Sequence, residues 1–334
     1  MKKTLMLVSF LAACSGGDPS EAPLTVPPSD VPDAWRAIIG EYADGADTIS
    51  VLEDEGALVL LPWHSDGRAL IPAPDGRFTS DAAEVVAVSR GVNGRVDAIS
   101  VDARAFDRLS LGAEDGGTFR IDPLMGPDAL LEAALADSPP DEEGEFRPSD
   151  LVEIVTLDST IVLDIRYAST NNFMGQIFYS EPRAFLQRPA AEALVRANEW
   201  LGERGYGLLL HDGYRPWYVT KMFWDATPEE LRIFVANPAN GSRHNRGCAI
   251  DLTLFDLETG APITMTGGYD EMSPRSFPDY PGGTTLQRWH RELLREAMEA
   301  QGFAVYEAEW WHFDYQDWRV YRIGNERFEE LGVG

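Results

Sequence analysis

The stretch 242-SRHNRGCAIDL-252 decides the fold. Its second half alternates. Cys248, Ile250, Leu252 and, just beyond, Leu254 fall on one face of a strand, while Gly247, Ala249, Asp251 and Thr253 fall on the other. A carboxylate in an apolar strand is disfavoured unless it is paired or bound to a cation. The small Gly247 and Ala249 beside Asp251 leave room for such a partner. Cys248 points to the opposite face and reads as a small buried residue rather than a ligand. His244, in the polar loop that precedes the strand, offers a second donor.

Outward from there, 309-EWWH-312 adds a histidine and a spare carboxylate. A catalytic zinc site takes three protein ligands and leaves one position open to water. His244, Asp251 and His312 would supply two imidazole nitrogens and a carboxylate oxygen. Glu309 would then be free to take a proton from water. Taken singly, a lone histidine is more often structural, and an aspartate in a strand can simply pair with an arginine. The combination carries the metal reading. Glu309 and His312 have opposite parity on a regular strand, so the chain must bend at Trp310-Trp311 for the two to converge.

From residue 150 onward the pattern is mixed. 161-IVLDIRYA-168 reads as a strand, as do 206-YGLLLHDGYRP-216 and 247-GCAIDLTLF-255, and 303-FAVYEAEWWHFDY-315 closes with one. A helix is expected from Arg188, with Pro189 in its first turn, Leu194, Ala197 and Leu201 on one stripe and Gly205 past its end. A second follows a Thr N-cap at 284-TTLQRWHRELLREAMEAQGF-303 and ends before Gly302. Residues 35–137 read as a small, mostly β domain with hairpin turns at Asp54-Glu55-Gly56, Asp75-Gly76 and Asn93-Gly94, and a short helix after Gly126. No nucleophile or metal constellation appears in it, and His64 reads as a turn residue. An acidic, proline-containing linker spans 138–149.

Lys2 and Lys3 precede an apolar run at 4–13 that is too short to span a bilayer, and Cys14 follows. Residues 15–34 are rich in Pro, Ser, Gly and Asp and read as a flexible tether. The net charge of -27 argues against nucleic acid and anionic lipid surfaces as partners.

"SRHNRGCAID" fits the pattern Ser-x-His-x-x-Gly-x-Ala-x-Asp, and "EWWH" fits Glu-x-x-His. Both resemble the zinc D-alanyl-D-alanine dipeptidases, relatives of the vancomycin-resistance dipeptidase. "IRYASTNNFMG", "GYGLLLHDGYRP", "GYDEMSPRS" and "GFAVYEAEWWHF" resemble the same family in the same order, over roughly 150–320. The resemblance implies an α+β fold with a central antiparallel sheet flanked by helices, following the small β domain. It implies one zinc on His244, Asp251 and His312, with Glu309 as general base and Arg215 stabilising the oxyanion. Asp270 would receive the substrate's free ammonium, and Ser242, Tyr167 and Tyr179 match pocket positions. Two departures stand out. His211 occupies a position where tryptophan is common, and Met174 replaces a small polar residue.

The expected activity is hydrolysis of free D-Ala-D-Ala during cell-wall peptide turnover. Alternatives are a D,D-carboxypeptidase or endopeptidase acting on peptidoglycan, or a non-catalytic peptide-binding lipoprotein. "LAAC", ending at Cys14, resembles a bacterial lipobox. It implies a signal peptide over 1–14, a lipidated Cys14 and an envelope location, with the outer membrane as anchor and the protein facing the periplasm.

Overall fold

The structure is a computed structural model, and it describes residues 26–45, 47–62, 65–91, 94–112 and 118–331. The expected signal peptide, Cys14, most of the tether, His64 and Asn93 lie outside the described residues.

A single helical turn, α1 (Asp33–Arg36), leads into eight strands. These are β1 (Gly40–Ala43), β2 (Thr48–Asp54), β3 (Ala57–Pro62), β4 (Arg68–Pro72), β5 (Phe78–Ser80), β6 (Val85–Arg90), β7 (Val96–Val101) and β8 (Arg104–Arg108). Each pairs antiparallel with the next, and β1 pairs with β8, so the sheet closes into a barrel without free edges. Alternation fills its interior with Val51, Leu58, Leu60, Val86 and Ile99. The β2–β3 turn needs the left-handed region at Glu55 (φ 44°) and Gly56 (φ 82°), which explains the glycine there.

The barrel docks on the rest of the chain through that same hairpin tip. The buried carboxylate of Glu53 accepts hydrogen bonds from Thr285 N (2.7 Å) and Thr285 Oγ1 (3.1 Å) at a helix N-terminus. Arg288 donates to Glu53 O and to Asp54 Oδ1, both at 2.9 Å.

The second unit is built on β10 (Val162–Leu163), β12 (Tyr206–Asp212), β13 (Ala249–Asp256), β15 (Glu309–Tyr315) and β14 (Phe303–Tyr306), in that spatial order. A small pair, β9 (Leu151–Glu153) and β11 (Phe185–Gln187), stands beside it. Helices α3 (Arg188–Gly202) and α5 (Thr285–Glu299) pack on the sheet, and α4 (Trp217–Ala226) packs on α2 (Pro127–Leu135). The stripe expected on α3 is real: Leu194, Ala197 and Leu201 are all buried. Thr284 caps α5 with a capping box to Gln287. Cys248, Ile250, Leu252 and Leu254 join the apolar core, so the alternation read from 242–252 holds.

Four expectations need correction. The sheet is not wholly antiparallel, because β10 runs parallel to β12. The strand expected over 161–168 stops at Leu163. The chain then turns through Arg166–Ala168, tied by Asn172 Nδ2, which donates to Arg166 O (3.1 Å), Ser169 O (2.8 Å) and Gln176 O (2.7 Å). The last segment is a hairpin of β14 and β15 rather than one strand. Finally, α2 was assigned to the β domain, yet its Leu130 and Ala134, with Ile121 ahead of it, sit in the core of the second unit.

Candidate active site

β13 carries Asp251 on the face opposite the core, paired across the sheet with His312 of β15. His244 comes from a short 3₁₀ turn, His244–Arg246, ended by Gly247 in the left-handed conformation (φ 66°). A side chain at Gly247 would collide with Leu151 Cδ2 at 2.4 Å, so the turn requires glycine.

Three atoms converge. His244 Nε2 lies 3.2 Å from Asp251 Oδ1, His312 Nδ1 lies 3.1 Å from the same oxygen, and the two nitrogens are 3.1 Å apart. Asp251 Oδ1 is buried and has no hydrogen-bond donor among the described residues. Donors at roughly 2.0–2.2 Å around a tetrahedral ion stand roughly 3.3 Å from one another, so this triangle fits a zinc-sized cation. His244, Asp251 and His312 form the one such cluster found among the described residues.

Each ligand is oriented from behind. His244 Nδ1 sits 2.7 Å from Gly213 O, which leaves Nε2 for the ion. His312 Nε2 sits 3.0 Å from Asp314 Oδ1. Tyr269 donates its hydroxyl to Asp251 Oδ2 at 3.0 Å. Burial opposes charge on His312, but Asp314 and Asp251 outweigh it and raise its pKa to about 10. Burial also works against the Asp251 carboxylate, yet His244 and His312 hold it well below the usual range. Cation and proton therefore compete for one strongly anionic corner.

Glu309 does converge with His312, its Oε2 lying 3.7 Å from His312 Nδ1. The opposite parity is resolved by the bend that the sequence demanded: pairing jumps from Val305↔Phe313 to Tyr306↔Glu309, with residues 310–312 bulged out. Burial pushes the Glu309 pKa up to about 7, against the pull of His312.

Arg215 follows β12 and is buried. Its Nε and Nη2 each donate to Asp212 Oδ2 at 2.8 Å, and Nη2 stands 3.6 Å from Asp251 Oδ2. The ion pair with Asp212 thus coexists with a place beside the metal corner. The rings of Phe223 and Tyr167 lie 4.9 and 5.2 Å from the guanidinium carbon and further confine it.

Asp270 accepts from Tyr167 OH at 2.9 Å and takes φ 56°, a strained value for a non-glycine residue. Burial and the nearby Asp251 push its pKa well above the ordinary carboxylate range. An arriving ammonium would offset both effects. Two further pocket candidates contact residues of the site itself. Tyr179 donates to Asp212 Oδ1 at 2.8 Å and so supports the anchor of Arg215. Ser242 Oγ accepts from His244 N at 3.2 Å and shapes the ligand turn.

Asp212, Tyr269 and Asp314 were not anticipated as site residues. Asp314 had a signal, since it shares the face of His312 two positions on. Tyr269 acts across elements that only the fold brings together, whereas Asp212 pairs with Arg215 only three residues further on. His211 lies within the site region but against Asp164 and Tyr269, and it is not a ligand.

A family model described as D-Ala-D-Ala dipeptidase matches residues 147–330. The D-alanyl-D-alanine dipeptidase of Escherichia coli K12 is 32% identical over 180 residues, which is 54% of this chain and 92% of that protein. Its counterpart in Enterococcus faecium is 37% identical over 172 residues, 46% of this chain and 85% of that protein. The one in Streptomyces coelicolor is 35% identical over 186 residues, with shares of 50% and 92%.

Proposed function

Because the chain belongs to the D-Ala-D-Ala dipeptidase family of metallopeptidases, we propose that it hydrolyses free D-Ala-D-Ala at the corner formed by His244, Asp251 and His312. The observation that carries this reading is the convergence of those three donors with Glu309 and Arg215, two further groups that a structural metal site would not need.

Zinc is the ion the donor set suits, and when bound it polarises the scissile carbonyl and acidifies the attacking water. The remaining work falls to the chain. Glu309, with its pKa near neutrality, takes the proton of the water and afterwards delivers it to the leaving amine. Arg215, fixed by Asp212, faces the negative charge that develops on the carbonyl oxygen. Its fork is already aligned, so little reorganisation is needed at the moment of attack. Asp270, held by Tyr167, receives the free ammonium and so selects a dipeptide over an acylated chain.

The expected setting is the cell envelope, with Cys14 lipidated and the enzyme consuming dipeptide from wall turnover. That part rests on Lys2, Lys3, the apolar run and "LAAC". Metabolic labelling with a fatty acid should mark the wild-type protein and leave Cys14→Ser unlabelled.

The catalytic reading is tested by stripping the protein with a chelator and restoring zinc. D-Ala release from D-Ala-D-Ala should return with about one equivalent of zinc. His312→Ala and Glu309→Ala should stay inactive, the latter while still binding zinc. Unchanged turnover in the chelated protein, or in Glu309→Ala, would overturn it.

A further inference from the structure

Glu271 closes the turn that carries Tyr269 and Asp270. Its main-chain N donates to Gly268 O at 3.3 Å, and its Oε2 accepts from Gly268 N at 3.0 Å. These two bonds clamp the turn from both sides. Asp270 stands at the third position, where several turn types require a positive φ, and it takes φ 56° without being glycine. Such a conformation persists only when its surroundings enforce it. The other carboxylate oxygen of Glu271 accepts from Ser273 Oγ (2.5 Å) and Arg275 Nε (2.7 Å), and its main-chain oxygen accepts from Ser273 N (2.8 Å) and from Ser276 Oγ. Glu271, only 2% exposed, thus ties together the chain on both flanks of Asp270.

The barrel lies against this clamped turn. Gly112, just past β8, takes φ 142°, and a side chain there would meet the carboxyl carbon of Glu271 at 2.4 Å and its Cγ at 2.6 Å. Held by three donors, that carboxylate cannot step aside without giving up a hydrogen bond. Glu41 of β1 alternates with Tyr42, which fills the barrel interior, so Glu41 faces outward. It is nevertheless buried, and both Arg275 and Glu271 act on its charge. The barrel also holds the chain further along, where Glu53 N donates to Gly283 O at 3.0 Å. Glu41, Glu53 and Gly112 all precede the stretch matched by the family model, 147–330. The support behind Asp270 is therefore supplied by this chain's own N-terminal part.

We propose that Glu271 is a positioning residue for the substrate's ammonium, and that the barrel is the buttress that keeps it in place. Glu271 acts through the backbone of Asp270 and not on the reacting atoms. With the turn clamped, the Asp270 carboxylate stays beside Tyr167 OH, where it can receive the ammonium. With the turn open, that carboxylate drifts, while Glu309 and Arg215, on other elements, keep their places. This role rests on the reading of Asp270 as the ammonium site. It gives the N-terminal barrel a part in substrate selection.

The test uses the zinc-loaded full chain with D-Ala-D-Ala as substrate. Glu271→Gln keeps the shape but removes the charge and one acceptor oxygen. Gly112→Ala pushes on Glu271 from the barrel side. Each should raise KM about tenfold and leave kcat within about threefold, at full zinc occupancy measured on the same samples. Gly76→Ala is the control. That barrel glycine has φ 81° and open space around it, so the substitution strains the barrel backbone without touching the turn, and KM should hold. In an Asp270→Asn background, Glu271→Gln and Gly112→Ala should raise KM no further, because the group they position is already gone. A merely structural effect would add to that of Asp270→Asn. If Gly112→Ala does not fold, Glu271→Gln carries the comparison. Unchanged KM in Glu271→Gln, or full additivity with Asp270→Asn, overturns the proposal while the dipeptidase reading stands. Unchanged KM in Gly112→Ala alone overturns the part given to the barrel. No turnover of D-Ala-D-Ala by the wild type removes the dipeptidase reading and this role with it.

Discussion

Replacing Arg215 with lysine keeps the charge and removes the fork. In the native site Nε and Nη2 both reach Asp212 Oδ2 at 2.8 Å, while Nη2 remains 3.6 Å from Asp251 Oδ2. One planar group therefore spans both carboxylates. A lysine ammonium is a compact point charge on a shorter stem and cannot hold both positions. It is expected to settle on Asp212, the fully buried partner, and to leave the oxyanion position. Losing one preorganised oxyanion donor lowers kcat by about 10²–10³, or roughly 2.7–4 kcal/mol of transition-state stabilisation. KM should move far less, because the proposed ammonium site, Asp270 held by Tyr167, is untouched. Steady-state kinetics on D-Ala-D-Ala, with zinc content measured on the same sample, separates the two parameters. A kcat within about threefold of wild type, at full zinc occupancy, would refute the role given to Arg215.

Asp314→Ala removes the carboxylate behind His312 and should weaken zinc binding about 10- to 100-fold, read by competition with a chromophoric chelator. Asp270→Asn should raise KM for the free dipeptide much more than it lowers kcat, and a proportional fall in kcat would remove the ammonium assignment. His211 is buried, and burial, helped by Arg166, lowers its pKa from 6.5 to about 4. The unfolded chain then binds the proton more tightly, so stability is full above pH 6.5 and falls as pH drops towards 4, by up to ~3 kcal/mol. Denaturant unfolding of His211→Gln should lose that part of the acid-side decline, and an unaltered pH dependence would contradict the burial argument.

Legibility in the sequence followed the range of the interaction. Alternation along 248–254 and the Thr284 cap are local, and both are present as read. The metal donors were legible because an aspartate on an apolar strand demands a partner wherever it folds. Even the bend between Glu309 and His312 could be required from parity alone, although its form, a bulge against β14, could not. What stayed hidden depends on contacts between distant segments. Tyr179 and Asp212 are 33 residues apart, and Tyr269 and Asp251 are 18 apart. Nothing local in the sequence of α2 says that it packs on α4 rather than on the barrel. Closure of the barrel likewise rests on β1 meeting β8, a pairing between its two ends.

The most direct measurement compares D-Ala release by the zinc-loaded protein from free D-Ala-D-Ala and from its N-acetylated form. The proposed roles, Asp270 as receiver of the ammonium and Glu309 as base beside the metal corner, predict turnover of the free dipeptide and none of the acetylated one. Efficient cleavage of the acetylated peptide would contradict it and make the protein a carboxypeptidase of longer wall peptides.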